Sequence, residues 1–322
     1  MTSSRYRSAL PQLGTELFLT DGGIETTLIF HEGLELPDFA AFDLLKHSQG
    51  TAALRKYFRT YAIIAQRFGV GLVLESATWR ASADWGAKLG YSSAALAEAN
   101  RKAVDLIEEI RQEFETSRTK VVISGCVGPR GDGYSPVNVM SAVEAESYHS
   151  GQIATFADTP ADLVTAITMN YSEEAVGIVR AARQAGLPVV ISFTVETDGR
   201  LPTGQTLKAA VEQVDDATSS YPAYYMINCA HPTHFEHALA EGDSWIARIR
   251  GLRANASRRS HAELNDSIEL DIGNPSELGS QYARLKSGPL AQLNVMGGCC
   301  GTDHRHIEEI AKACFELFQS AT

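Results

Sequence analysis

The stretch SEEAVGIVRAARQAGLPVVISFT, residues 172–194, contains a helical pattern that runs directly into a strand pattern. Ser172 is predicted to cap the helix, and Gly186 and Pro188 are predicted to end it. The run at 188–194 is rich in valine and isoleucine, which is typical of a strand buried on both faces. The stretch therefore predicts one helix–strand unit of a parallel α/β sheet.

The same alternation extends over most of the chain. Further strand candidates, of which the sixth is the weakest, are residues 16–23, 71–76, 121–128, 162–167, 224–230, 246–257 and 290–298. Between them the apolar side chains recur at helical spacing, as they do in 96–114. Eight such units predict an α/β protein with a (β/α)8 TIM barrel, a single domain over residues 1–322 with its core at about 16–318. A doubly wound open sheet is the alternative. The polar stretch 253–267 is predicted to be a long mobile loop.

Composition excludes several classes of protein. The formal net charge is −11, which is unsuited to binding nucleic acid or an anionic membrane surface. No apolar run has the length of a signal peptide or a membrane span. The five cysteines are an odd number in apolar or glycine-rich surroundings, which indicates thiols in a reducing compartment. We therefore predict a cytoplasmic protein that acts on small molecules, and a homo-oligomer is compatible with the sequence.

Three cysteines are candidate metal ligands. Cys229 ends one strand candidate, and Cys299 and Cys300 follow the last one. Strand ends converge on one face of a barrel, so the three thiolates would leave one open position of a tetrahedral zinc site, which is the catalytic pattern. Thiolates also select zinc over magnesium or calcium. The alternative is that Cys299 and Cys300 are small residues in a tight turn. Cys126 and Cys314 are predicted to serve packing.

Four motifs together carry a family resemblance. The combination of DGGIET near the start, VGPRG after the third strand, NC at 228–229 and MGGCCGT at 296–302 resembles the homocysteine S-methyltransferase family, over about residues 16–318. The resemblance implies a barrel that binds Zn²⁺ through Cys229, Cys299 and Cys300. It also implies transfer of a methyl group from a sulfonium or quaternary ammonium donor to a small thiol at the zinc, homocysteine in that family.

Two other functions remain open from the sequence. One is a methyltransferase on the same scaffold that draws its methyl group from a corrinoid or folate module, which a partner protein would have to supply. The other is a barrel that binds zinc or thiols without catalysis.

The sequence departs from the family at the substrate residues. Asp21 matches the aspartate of the family's DGG motif, but Ile167 stands where the family has an acidic residue that binds the amino group of homocysteine. This departure puts homocysteine in doubt as the acceptor. Glu25 and Glu75 are also departures, and either carboxylate can supply the lost charge or bind a cationic donor. The alternative for Glu25 is that it caps a helix.

Aromatic residues and one histidine complete the expected site. Trp79 and Trp85 follow the second strand and offer ring faces to a cationic donor, or else form an apolar lid. His231 lies two positions after Cys229 and can orient a ligand or contact substrate, or simply start a helix. We predict Asp21 and Glu25 as catalytic residues, and as substrate-binding residues Glu75, Trp79, Trp85, Ile167 and His231.

Overall fold

The computed structural model describes residues 4–239, 243–267 and 269–319. Within them, parallel strands close a barrel in chain order, with the last strand paired to the first. The strands are β1 Phe18–Leu19, β2 Gly71–Glu75, β3 Val121–Val127, β4 Leu163–Met169, β5 Val189–Phe193, β6 Tyr224–Asn228, β7 Ile249–Ala254 and β8 Val295–Gly298. The predicted (β/α)8 barrel is confirmed, and the open sheet is excluded because β1 pairs with both β2 and β8.

Helices surround this barrel. They are α1 Ile24–Thr26, α2 Ser48–Phe68, α3 Ala83–Lys88, α4 Ser93–Phe114, α5 Ala142–Ala157, α6 Ser172–Gln184, α7 Leu207–Thr218, α8 Pro232–Phe235, α9 His261–Asn265, α10 Pro275–Ser287 and α11 His304–Gln319. The sixth unit departs from the expected pattern, because the described part of its connection holds only α8 and short 3₁₀ turns. None of the described helices has the length and apolarity needed to cross a membrane.

The core has two layers because strand side chains alternate. Val73 packs inside the barrel with Val122 and Val190, whereas Leu72 and Leu74 pack outward against the helices. The same alternation turns Glu75 into the barrel, two positions after Val73. The carboxyl end of the barrel is therefore lined by polar side chains above an apolar floor.

Two sequence predictions were wrong in detail. Ser172 is the first residue of α6 and not its cap, and its hydroxyl donates to Gln205 and Gln213 instead. The stretch 253–267 is not one long loop, since Arg253 belongs to β7 and α9 carries its own capping box at Ser260. The weak strand candidate 246–257 contains all of β7, so the loop prediction was wrong where the two overlapped, at Arg253 and Ala254. The buried carboxylate partners of Arg253 are not visible in the sequence.

Candidate active site

The three predicted cysteines meet at the carboxyl end of the barrel. The Sγ atoms of Cys229, Cys299 and Cys300 all lie within 4.8 Å of one another. Cys229 and Cys299 are bonded as a disulfide, and the Sγ atom of Cys300 lies 3.9 Å from that of Cys229. Residues 70 positions apart come together because β6, β7 and β8 are consecutive strands of the closed barrel.

Backbone geometry holds the cysteines in place. Cys229 has a φ of 52°, a left-handed conformation that costs energy for a residue with a Cβ atom and is found mainly at functional sites. The turn after β8 is tied to the first strand end, since Gly301 N–H donates to Thr26 Oγ1 at 3.0 Å and Gly23 N–H donates to the carbonyl of Thr302 at 3.1 Å. These hydrogen bonds therefore hold the DGGIET and MGGCCGT motifs together.

The donor set fits a zinc ion. Zn–S bonds of ~2.3 Å at tetrahedral angles place two sulfurs ~3.8 Å apart, and the distance between the Sγ atoms of Cys229 and Cys300 is 3.9 Å. Three thiolates select a soft or borderline metal such as zinc. Cys299 can join this set once its bond to Cys229 is reduced.

Cys314 lies in the core between barrel and helices, and Cys126 is buried, as predicted.

Tyr134 and His261 contact Cys229, and sequence reasoning missed both. The hydroxyl of Tyr134 donates to Cys229 Sγ at 3.3 Å, and its ring lies 4.1 Å from the ring of His261. His261 Nε2 donates to the carbonyl of Cys229, and its Nδ1 lies 3.0 Å from the carboxylate of Glu196. Tyr134 lies in the connection between β3 and α5, and His261 is the first residue of the five-residue helix α9, so no periodic pattern marks either side chain as inward.

Asp21 and Glu75 share a buried arginine. Arg253 Nη2 lies 2.7 Å from Asp21 Oδ1, and Arg253 Nη1 pairs with Glu75 Oε2. Tyr57 also donates to Asp21 at 2.8 Å. Burial raises the pKa of Asp21 and raises that of Glu75 to about 7, while Arg253 lowers both. Arg253 was not among the predicted residues, although strand alternation in β7 turns its side chain inward.

Glu25 is the second residue of α1, lies beside these residues and is half-buried. Among the residues that the structure describes, it forms no ion pair within 4.0 Å. Burial raises its pKa to about 7, and the nearby charge of Asp21 adds to that shift. Glu25 is also close enough to Cys300 to raise the pKa of that thiol, although burial is the larger cause. It therefore presents a carboxylate without a paired cation next to the cysteines.

The two tryptophans enclose an arginine. The guanidinium carbon of Arg80 lies 4.0 Å from the ring centre of Trp79 and 3.8 Å from that of Trp85. One face of each indole is thus occupied by a cation of the chain itself, which leaves less aromatic surface for a donor than the sequence suggested. Binding of the donor by Trp79 and Trp85 stays a prediction.

Ile167 and His231 occupy different surroundings. Ile167 is buried beside a register shift at the end of β4, where its carbonyl accepts from Trp79 Nε1 at 3.4 Å. His231 is the N-cap of α8, and its Nδ1 accepts from Thr233 N–H at 3.3 Å. Burial, assisted by His234, lowers the pKa of His231 to about 4. These contacts agree with a histidine that starts a helix, and a substrate role for it stays a prediction.

Comparisons with known proteins agree with this geometry. The family model for homocysteine S-methyltransferase matches residues 18–314. The oxidized form of the homocysteine methyltransferase MmuM from Escherichia coli has a TM-score of 0.70 at 18% identity, covering 96% of this chain and 99% of that one. Its metallated form has a TM-score of 0.67 at 17% identity, covering 95% and 98%.

A longer relative matches part of the chain. Methionine synthase of Mycobacterium leprae (strain TN) is 25% identical over 237 residues, which are 67% of this chain but 18% of that protein. The chain thus spans less than a fifth of that relative. Since the family model covers nearly all of the barrel, the chain belongs to the homocysteine S-methyltransferase family.

Proposed function

We propose that the chain transfers a methyl group from a small sulfonium or quaternary ammonium donor to a small-molecule thiol, at a zinc site formed by Cys229, Cys299 and Cys300. The observation that carries the proposal is the convergence of these three Sγ atoms within 4.8 Å at the barrel mouth. The metallated form of the similar E. coli enzyme supports a metal at this type of site.

The reaction is a displacement at a methyl carbon. A bond forms between the acceptor sulfur and the methyl carbon, and the bond from that carbon to the donor's S⁺ or N⁺ breaks, so that its electron pair neutralises the leaving atom. A zinc ion bound to the three thiolates supplies the Lewis acid that lowers the pKa of the acceptor thiol. The transfer neutralises both the donor cation and the acceptor thiolate, so a pocket that excludes water favours the products.

The chain's own residues hold the surrounding charges. Arg253 pairs with Asp21 and Glu75 and fixes both side chains at the base of the site. Glu25 is the carboxylate left to face a cationic donor. Tyr134 and His261 contact Cys229 and hold its side chain and carbonyl in position.

Metal content and turnover test the proposal. Protein purified under reducing conditions should hold about one zinc per chain. Replacement of any of the three ligand cysteines by alanine should lower bound zinc and abolish turnover with a panel of thiols and methyl donors. Cys314→Ala, at a buried cysteine far from the site, is the matched control and should keep both. Full metal content in Cys299→Ala and Cys300→Ala would contradict the proposal.

A module-linked methyltransferase is the second candidate. The similarity to methionine synthase, of which the chain spans 18%, is the observation that favours it. Under this alternative, the purified chain turns over only when a separate corrinoid or folate protein is added. Turnover with free sulfonium or ammonium donors excludes it.

A further inference from the structure

Arg80 follows β2 and is fixed between two indole rings. It is buried at 5% exposure, and its Nη1 donates to the carbonyl of Gly131 at 2.9 Å. The rings of Trp79 and Trp85 lie against its guanidinium at 4.0 and 3.8 Å. Such cation–π contacts hold the planar group in one position, so its remaining N–H groups have fixed directions.

The charge of Arg80 has no direct counter-ion. In the described ranges, no carboxylate lies within 4.0 Å of it, although Asp132, Glu25 and Asp38 are near enough to oppose the lowering of its pKa by burial. Asp132 accepts from two amides of its own loop at 2.8 Å, and Asp38 is paired with Lys88. These two carboxylates are therefore engaged elsewhere.

Arg80, Trp79 and Trp85 form one cluster, and two of its buried N–H donors also lack an acceptor. They are Nε of Arg80 and Nε1 of Trp85. Buried N–H groups without a partner are rare and destabilising, and they often mark a place that a ligand or water fills. Because the two side chains are in contact, one planar oxyanion can accept from both and neutralise the guanidinium.

This cluster lies at the mouth of the cysteine site. Trp79 Nε1 donates to the carbonyl of Ile167 at the end of β4. The loop that accepts from Arg80 at Gly131 also carries Tyr134, three positions later, and the hydroxyl of Tyr134 lies 3.3 Å from Cys229 Sγ. One short loop therefore contacts both Arg80 and the cysteine site.

The geometry points to Arg80 and Trp85 as the binding site for a carboxylate on one of the substrates, with Trp79 as a positioning residue. The inference rests on the proposed function, since it assumes that the substrates meet at the cysteines. The carboxylate belongs either to the thiol acceptor or to the methyl donor. Both sources present the same planar anion, and the experiment separates them.

Calorimetric binding to the reduced, purified protein tests the inference with two matched pairs of probes. The acceptor pair is 3-mercaptopropionate and 3-mercaptopropionamide, and the donor pair is dimethylsulfonioacetate and trimethylsulfonium. Hydrogen bonds to a charged group predict that the carboxylate member of one pair binds ~10–100-fold more tightly than its partner. Preference in the first pair assigns the carboxylate to the acceptor, and preference in the second assigns it to the donor.

Variants show whether Arg80 causes the preference. Arg80→Met should abolish the carboxylate preference, and Arg80→Lys should keep part of it. Trp85→Phe keeps an aromatic ring but removes the N–H group, so it should reduce the preference by a smaller factor. Arg130→Met is the control, because Arg130 lies on the neighbouring loop, is half-exposed and pairs with Asp84. A purely structural Arg80 would weaken both members of each pair equally.

Three results would overturn the inference: no preference in either pair, the wild-type preference in Arg80→Met, or no binding of any probe. Zinc content and methyl transfer are measured on the same preparations. A protein that lacks both, yet shows a carboxylate preference that depends on Arg80, would refute the proposed function and leave this site standing. A protein with zinc and turnover but no carboxylate preference would support the proposed function and refute the carboxylate site.

Discussion

Replacing Arg253 by methionine should destabilise the barrel strongly and in a pH-dependent way. The side chains of Arg253, Asp21 and Glu75 are 7%, 3% and 4% exposed. Arg253 also donates to the carbonyls of Gly298 and Gly22 at 3.1 and 3.2 Å. Methionine fills a similar volume but leaves two buried carboxyl groups without a cation. Breaking a buried ion pair from one side costs about 3–5 kcal/mol, which we expect for this variant at pH 8.

The difference in the free energy of unfolding between the wild type and Arg253→Met, called the gap below, should shrink at low pH. Burial already raises the folded-state pKa values of Asp21 and Glu75, the latter to about 7, and loss of Arg253 raises them further. A carboxyl group whose pKa is higher in the folded state stabilises the fold most at low pH, and this contribution is lost as the pH rises through the folded-state pKa. Each extra proton bound by the folded variant narrows the gap by ~1.4 kcal/mol per pH unit. At pH 5.5 we therefore expect a gap of about 1–2 kcal/mol.

Urea denaturation followed by tryptophan fluorescence at pH 8 and pH 5.5 measures both numbers. Arg248→Met is the control, because the Arg248–Asp215 pair at the other end of β7 is partly exposed, at 29% and 16%. An ion pair of that kind contributes about 0–1 kcal/mol, with little dependence on pH in this range. A loss below about 1 kcal/mol for Arg253→Met at pH 8, or a gap that does not narrow at pH 5.5, would refute the reasoning.

Three further predictions concern the substrates and the metal. Ile167→Glu should lower kcat/KM for the native thiol and create activity on homocysteine; wild-type kcat/KM for homocysteine above ~10⁴ M⁻¹s⁻¹ would contradict this. Glu25→Gln should remove a rise in kcat/KM for a cationic donor between pH 6 and pH 8, because the pKa of Glu25 is about 7 and its carboxylate attracts the donor only when ionised; a wild-type pH profile without that rise would argue against the role. Tyr134→Phe should weaken zinc binding ~10–100-fold in chelator competition by removing the hydroxyl beside Cys229 Sγ; unchanged affinity would show that this contact does not support the metal.

The fold and the cysteines were predictable because both depend on local patterns. Continuous apolar runs mark parallel strands, and the order of strand and helix restricts the topology to very few choices. Once a barrel is assumed, every strand end faces the same side, which brings Cys229, Cys299 and Cys300 to one face. Strand ends and chain order left a tight turn as the alternative for Cys299 and Cys300, and the family resemblance favoured the metal site.

The charges around the cysteines were not predictable, because they depend on partners distant in sequence. Arg253 reaches Asp21 across 232 positions and Glu75 across 178. Its position fell both in the weak strand candidate 246–257 and in the polar stretch 253–267, and the sequence did not show that its side chain turns into the barrel. Arg80 is similar, since the sequence shows Trp79 and Trp85 nearby but not that the guanidinium fills the space between their rings.

These partners bear on the choice of acceptor. The sequence offered Glu25 and Glu75 as replacements for the acidic residue absent at Ile167, but Glu75 is already paired with Arg253 in the barrel. A substrate ammonium could recruit Glu75 only by competing with a guanidinium that is fixed by four contacts, so Glu25 is the carboxylate left for a cation. Arg80 is the cation left for an anion. If the carboxylate at Arg80 is the acceptor's, we predict that a thiol with a carboxylate and no amino group is methylated in preference to homocysteine, because the family resemblance places the homocysteine ammonium at Ile167. A carboxylate preference in the donor pair of probes alone would contradict this choice.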